Sequence, residues 1–284
     1  MNLKKKNSLI GLMFASPAIV GVLLFYLVPY VMSIYYSFTQ FGQFPTFDNY
    51  ASLFSNAAFG LALKNTAVFS AIAIPLAVII PFLIALFLNT FDKHIEFFRS
   101  LFLSPLIVPI ASVIFVWQIV FSDTGIINGV VNSFGFAPIY FFNGQWSMVI
   151  VILIFVWKNC AYNIILFSAG LAKISKEIKE SARLDGATSR QIVWYIVIPI
   201  INPTVFFVIL LTIISSFKIF REIYLLYGAY PDENVYMLQH FMNNNFYNLN
   251  YPRLSTASII LSVFIITILF IIFKFDKKII IESL

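Results

Sequence analysis

Charge is scarce in this chain. Asp, Glu, Lys and Arg together make up 11% of its 284 residues, against roughly a quarter in a soluble globular domain. A folded surface in water cannot be covered by so little charge, which excludes a water-soluble fold. Cysteine is almost missing. The single Cys160 rules out an intrachain disulfide and any metal site built on cysteine pairs. The two histidines, His94 and His240, stand far apart and are expected on opposite sides of the topology, so a shared metal site is not expected. No G-x-x-x-x-G-K-[ST] phosphate-binding loop occurs, so the chain is not expected to hold a nucleotide. No cluster of His, Asp, Glu or Cys is visible that could do chemistry. No catalytic residue, metal or cofactor of its own is therefore expected. The net charge of +6 does not indicate nucleic acid, because the basic residues sit at the ends of apolar runs and form no continuous stripe.

What is present is apolar sequence. The hydrophobic fraction is 61% and the mean hydropathy +0.92. A membrane-crossing helix needs about 20 predominantly apolar residues. Stretches of that kind recur at roughly 9–38, 65–91, 100–122, 148–170, 199–222 and 254–273. They predict an all-α integral membrane protein with six transmembrane helices, forming one domain over 1–284. Lys4, Lys5 and Lys6 ahead of the first run imitate a signal peptide. The run is too long for a cleavable core and no A-x-A-like site follows it, so an uncleaved first helix is expected.

Lysine and arginine set the expected orientation. With the N-terminus in the cytoplasm, one side carries Lys4, Lys5, Lys6, Lys93, Arg99, Lys173, Lys176, Lys179, Arg183, Arg190, Lys274, Lys277 and Lys278. The other carries Lys64 and Arg253, with Lys218 and Arg221 near the boundary. Thirteen against at most four places both termini inside a cell membrane. Three loops then face outward: 39–64, 123–146 and 227–253. The last is rich in asparagine and tyrosine, among them Asn244 and Asn248. Two loops face inward: 91–99, and the longer, charged 171–190.

That second inward loop reads LAKISKEIKESARLDGATSRQIVWYIVIPIINP from Leu171 to Pro203. Ser175 can cap a short helix, with Glu177 in its first turn favoured by the helix dipole. Gly186 suits the helix end, where a left-handed residue is needed. Thr188 and Gln191 have capping-box spacing and open a second helix, which Pro199 is expected to kink. Lys176, Lys179 and Arg183 make a basic stripe. On physical grounds alone, that stripe reads as a connector facing lipid headgroups.

The same residues carry a resemblance. Glu180-Ser181-Ala182, three residues, Gly186, nine residues, then Ile196-Val197-Ile198-Pro199 resembles the Glu-Ala-Ala, Gly, Ile-x-Leu-Pro motif of permease subunits of bacterial binding-protein-dependent ABC importers. ESARLDGA followed by IVIPIINP is similar to the carbohydrate-uptake branch, the maltose and glycerol-phosphate permease family. Ser181 stands where alanine is usual, and Ile198 where leucine is. SPAIVGVLLFYLVPYVMSIYYSF, FRSLFLSPLIVPIASVIFVWQIVF and VWKNCAYNIILFSAGLAKISKEI resemble its other helices.

The resemblance implies the type I importer permease fold, half of a translocation path, and transport of a sugar such as an oligosaccharide. It implies three kinds of protein partner, besides membrane lipid: a second homologous permease subunit, a dimeric cytoplasmic ATPase holding ATP and Mg, and an extracytoplasmic solute-binding protein. It assigns Glu180, Ser181, Ala182, Arg183, Asp185, Gly186 and Ala187 to a coupling helix that docks on the ATPase.

The substrate path is read from ionisable and aromatic residues within spans. One set is Trp157, Lys158, Asn159, Tyr162 and Asn163. Aromatic faces beside amides suit a sugar, and the resemblance aligns Trp157 and Tyr162 with residues of a sugar-contacting helix. The competing reading packs the aromatics and pairs Lys158 with a neighbouring helix. The second set is Ser216, Lys218, Arg221 and Glu222. Its competing reading has the cations snorkelling, with Glu222 paired to Lys218 at i, i+4. Acidic cargo such as glycerol phosphate, or a polyamine, is the alternative on the same machinery. An ion-driven secondary transporter would want buried midplane carboxylates, and none of the spans has a clear one, since Glu222 is near an end.

Overall fold

The computed structural model describes residues 3–89 and 108–282, with side chains over 11–89 and 108–274. The described residues are nearly all helical and contain no strand beyond an isolated bridge between Gln40 and Gln43. Six helical segments among them are long and apolar enough to cross a membrane: Gly11–Ser37, Ala57–Leu88, Ile110–Ser133, Trp146–Leu171, Ser189–Tyr227 and Tyr251–Lys274. The first part of the expected third span, the expected inward loop 91–99, and Lys93, His94 and Arg99 lie outside the described residues.

The chain divides into two compact units. The first comprises Met1–Gly60 and Phe241–Ile268. It opens with α1 (Leu3–Val22), which passes through a π-turn at Leu23–Leu27 into α2 (Val28–Ser37). After the turn at 40–43 comes α3 (Asp48–Phe54). Asn49 of α3 fastens the end of α2. Its amide donates to the carbonyls of Ser37 at 3.1 Å and Thr39 at 2.9 Å, satisfying groups that a helix C-terminus leaves without intrahelical partners. Tyr50 donates to the Ser37 hydroxyl at 3.0 Å.

The second unit comprises Leu61–His240 and Leu269–Leu284. Its core gathers Phe69, Ala73 and Ala77 of α4 (Ala57–Leu88) with Val151, Ile152 and Phe155 of α7 (Trp146–Leu171) and with Ile219 and Ile223. Between them in sequence lie α5 (Ile110–Phe121) and α6 (Ile126–Ser133). Burial in lipid supplies little drive for helix association, so close packing and hydrogen bonds carry it. Both are visible here. A Cβ on Gly170 of α7 would stand 2.8 Å from Thr204 Oγ1, so any larger residue must displace Thr204 to keep this approach. The buried Asn163 amide donates to the Ala77 carbonyl at 2.7 Å and to Thr212 Oγ1 at 3.1 Å. Such interhelical bonds are worth roughly 0.6 kcal/mol each on average.

The charged segment after α7 folds as α8 (Lys176–Leu184) and α9 (Ser189–Ile192). A π-turn at Val193–Val197 leads into α10 (Ile198–Ser216), followed by α11 (Phe220–Tyr227). Pro199 is therefore met by a widened turn, which closes with the Ile198 N–H on the Val193 carbonyl. The first span repeats the device: the Val28 N–H reaches Leu23, ahead of Pro29. Helical structure consequently begins at Ser189, ten residues before the expected start of the fifth span. The three loops expected to face outward also contain helices: α3 and the start of α4, α6, and α12 (Leu238–Tyr247), which precedes α13 (Tyr251–Glu282).

Candidate functional site

The loop joining α7 to α10 is built from local chemistry. Ser175 takes the extended N-cap conformation, φ −64° and ψ 149°, although its side chain makes no capping bond to the backbone. Glu177 in the first turn accepts from its own backbone N–H and from Ser175, which holds its carboxyl below the ordinary value. At the other end, the Gly186 N–H bonds to the Arg183 carbonyl at 3.0 Å and the Ala187 N–H to that of Ala182 at 2.9 Å. This is the Schellman pattern, and Gly186 sits in the required left-handed region at φ +84°. The expected capping box follows: Gln191 Oε1 accepts from the Thr188 N–H at 2.8 Å, and the Gln191 N–H donates back to Thr188 Oγ1 at 3.4 Å. Two opposed caps thus fix the turn between α8 and α9 on both sides.

The loop has distinct faces. Ala182 and Ala187 pack against the cluster of Phe167, Leu171, Ile174 and Ile192, so they seat the loop on its own unit. Lys179 donates to Asn89 Oδ1 at 3.0 Å. Burial first, then Arg183 and Lys176, draw its ammonium below the ordinary lysine range. Glu180, Ser181, Arg183, Asp185 and Gly186 are exposed. So is Leu184, at 90%. Sequence reasoning passed over Leu184. Its signal was a leucine set between Arg183 and Asp185, out of step with the alanines that face inward.

The structure separates the path residues. Lys158 of α7 donates to Glu222 of α11 as an ion pair, with the Glu222 side chain 1% and the Lys158 side chain 34% exposed. This corrects one reading of the second set. Glu222 pairs with Lys158 and not with Lys218, because it turns inward among Ile219 and Ile223 while Lys218 and Arg221 are exposed. Glu222 is a buried carboxylate near the end of the fifth span, and its contact with Lys158 offsets its charge. Glu222 Oε2 has no hydrogen-bond partner among the described residues.

Other members of the two sets serve the scaffold. Asn163 ties three helices together. Asn159 donates to the Phe155 carbonyl at 2.8 Å and Ser216 to that of Ile213 at 2.7 Å, each within its own helix. Trp157 and Tyr162 keep substantial exposure, and Trp157 meets Trp117 edge to face at 6.0 Å. In the segment 227–253, Asn248 is exposed but Asn244 is buried. His240 is fully buried, and burial pushes its pKa down to about 4. Its Nδ1 accepts from the Met237 N–H at 3.4 Å.

Comparison with known proteins bears on this geometry. Residues 50–281 match the family described as binding-protein-dependent transport system inner membrane component. The sn-glycerol-3-phosphate transport system permease protein UgpA of Rhizobium meliloti (strain 1021) is 28% identical, covering 96% of each chain. The arabinooligosaccharides transport system permease protein AraP of Bacillus subtilis (strain 168) is 30% identical over 78% of this chain and 74% of its own. A crystal structure of a bacterial ABC transporter involved in the import of the acidic polysaccharide alginate contains a chain of the same fold. It superposes with a TM-score of 0.84 at 24% identity, covering 96% of both chains.

Proposed function

Because this chain belongs to the family of inner membrane components of binding-protein-dependent transport systems, we propose that it forms half the translocation path of an ATP-driven sugar importer. It is a multi-pass membrane protein and a transport permease. The carbohydrate assignment is supported by the arabinooligosaccharide relative. The observation that carries the mechanism is the doubly capped turn at Gly186, with Glu180, Ser181, Arg183, Asp185 and Leu184 on its exposed side.

In this reading both termini are cytoplasmic and α8 is the coupling helix. A separate ATPase dimer, holding ATP and Mg, moves as a body when it closes on nucleotide. A short helix fixed at both ends transmits that displacement without folding up. Glu180 and Arg183 present opposite charges to the ATPase cleft, and Leu184 supplies an apolar contact. Ala182 and Ala187 pass the load into Leu171 and Ile192, and so into α7 and α10. A second, related permease completes the path, and a solute-binding protein delivers cargo from outside. Trp157 and Tyr162 offer ring faces to the sugar. Lys158, Asn159, Asn163 and Ser216 hold that region in shape.

The exposed Lys218 and Arg221 favour a second cargo class, an anion such as glycerol phosphate. One experiment decides between them. The chain is purified with its co-eluting partners and reconstituted, and neutral glycans, uronate glycans and glycerol phosphate are screened for stimulation of ATP hydrolysis. Stimulation by a neutral glycan is expected. Stimulation by the anions alone would move the cargo to the second class. ATP hydrolysis indifferent to every solute would sink the importer reading.

A further inference from the structure

The helix α4 is tied by polar contacts at two distant points. At one, Asn89 follows the helix directly, with its N–H on the Ala85 carbonyl at 3.0 Å. Asn89 Oδ1 accepts from Lys179 of α8 at 3.0 Å. Lys176 and Arg183 share the basic stripe with Lys179 and are exposed, whereas Lys179 is half-buried. Ala85 lies in the same cluster as Leu171, Ile174 and Ile192, against which Ala182 and Ala187 pack. At the other point, the Asn65 amide donates to the carbonyls of Glu233 at 2.6 Å and Tyr236 at 3.0 Å. Beside it, Thr66 Oγ1 accepts from the Leu238 N–H at 2.9 Å. About 36 Å of helix separates Asn65 from Asn89, at 1.5 Å per residue. Between them lie Pro75 and Pro81. A proline has no N–H, so the carbonyl four residues earlier loses its helical donor. For Pro81 that carbonyl belongs to Ala77, and the Asn163 amide of α7 supplies the missing bond at 2.7 Å. The helix is thus braced from the side between its two clamped points.

We propose that α4 is a strut that carries the displacement of α8 to the segment 233–238 at the opposite face of the membrane, with Lys179 as the positioning residue that engages it. The proposal rests on the reading of α8 as the coupling helix. Chain connectivity already joins α8 to α7 and α10. The bond from Lys179 to Asn89 adds a third span to those that the ATPase moves. Its chemistry suits the task. Apolar packing of Ala85 against the cluster resists compression but lets surfaces slide and part. A hydrogen bond from an ammonium is directional and stronger than a neutral one, so it holds α4 to α8 when α8 is drawn back as well as when it is pushed. At the far clamp the partners of Asn65 and Thr66 are all main-chain groups. The backbone of 233–238 therefore follows α4 whatever side chains it carries. Under the same reading this segment lies on the side where cargo is delivered, so the strut ties the nucleotide state of the ATPase to the outer end of the path.

A spin label at the far end tests the strut. The single cysteine is removed by Cys160→Ser, and Glu233→Cys, at an exposed side chain, receives a nitroxide. The chain is purified with its co-eluting partners and reconstituted in vesicles. The nitroxide spectrum is compared without nucleotide and with ATP, Mg and vanadate, and ATP hydrolysis is measured on the same vesicles. In this background the spectrum is expected to change with nucleotide. Lys179→Met and Asn89→Leu, at one clamp, and Asn65→Leu, at the other, are each expected to lose most of that change while ATP hydrolysis continues. Asn89→Asp, which keeps the contact as an ion pair, is expected to retain it. If Asn65→Leu fails to insert, Thr66→Val, which takes the acceptor from the Leu238 N–H, stands in. A contact that merely seats the loop would lower the unfolding midpoint and leave the response at 233 intact, and that result would overturn the strut. So would a response lost only together with ATP hydrolysis, or no response in a background that hydrolyses ATP. A complex that hydrolyses no ATP before any clamp is altered would remove the importer reading itself, and the strut with it.

Discussion

The Lys158 ammonium meets the Glu222 carboxylate across 64 residues of chain, joining α7 to the first turn of α11. Removing one member of a buried ion pair leaves the other unpaired and costs about 3–5 kcal/mol, whereas replacing both by apolar residues of like volume is often neutral. Lys158 keeps a third of its exposure, which lowers the cost of leaving it alone. Glu222→Gln is expected to lose on the order of 2 kcal/mol of stability. Lys158→Met is expected to cost more, because the abandoned charge is then the buried one. Combining Lys158→Met with Glu222→Met should recover most of the loss. Thermal unfolding of the purified complex measures all three, and additive losses in the double variant would count against the pairing.

The turn at Gly186 makes a separate claim. A side chain at φ +84° costs roughly 1–2 kcal/mol, and no atom crowds the position. Gly186→Val should therefore distort the turn without disturbing the spans. Combined with Glu180→Lys, it is expected to abolish both uptake and solute-stimulated ATP hydrolysis while the amount of inserted protein stays the same. Wild-type uptake in the double variant would remove α8 from the coupling role.

Gly170 tests the contact between α7 and α10. A methyl group there meets Thr204 Oγ1 at 2.8 Å and Cγ2 at 3.1 Å. Overpacking of this kind costs about 1–3 kcal/mol. Gly170→Ala is expected to lower the unfolding midpoint, and adding Thr204→Ala, which removes both nearest atoms, to restore much of it. Equal midpoints for Gly170→Ala and the wild type would show that the helices can part without penalty.

His240 predicts a pH dependence. Its pKa falls from an ordinary 6.5 to about 4, so between those values the unfolded chain binds the proton and the folded chain does not. Stability is then full above about pH 6.5, declines as the pH drops from there to about 4, and levels off below. His240→Gln should flatten this part of the profile in unfolding scans taken from pH 7 to pH 4. An unchanged slope in the variant would assign the acid sensitivity to other groups.

The spans were legible because scarce charge and long apolar runs leave few alternatives. The turn after α8 was legible because Gly186, Thr188 and Gln191 act through backbone geometry within a few residues. The fate of Glu222 was not. Its spacing to Lys218 satisfies the i, i+4 rule, yet the partner comes from α7, which local spacing cannot reveal. Asn163 was ambiguous for a related reason. An amide inside a span suits a hydroxylated cargo and a neighbouring helix equally well, and tertiary packing decided for Ala77 and Thr212. Helix boundaries moved wherever structure continued into polar sequence. Ser189 to Gln191 are polar yet helical, because the capping box holds them.

The two π-turns act as phase shifters. Each lodges one residue more than an α-helical turn would in the same rise, at Leu23–Leu27 and at Val193–Val197. Deleting one residue from Val193–Val197 would let an ordinary α-helix form, and everything beyond would rotate by about 100° relative to α9. Thr212 would swing away from Asn163, and the small face that receives Gly170 would turn with it. The separation between Gly186 and Pro199 is thus an angular setting as much as a length. It determines which flank of the fifth span meets α7 when the α8 turn is pushed.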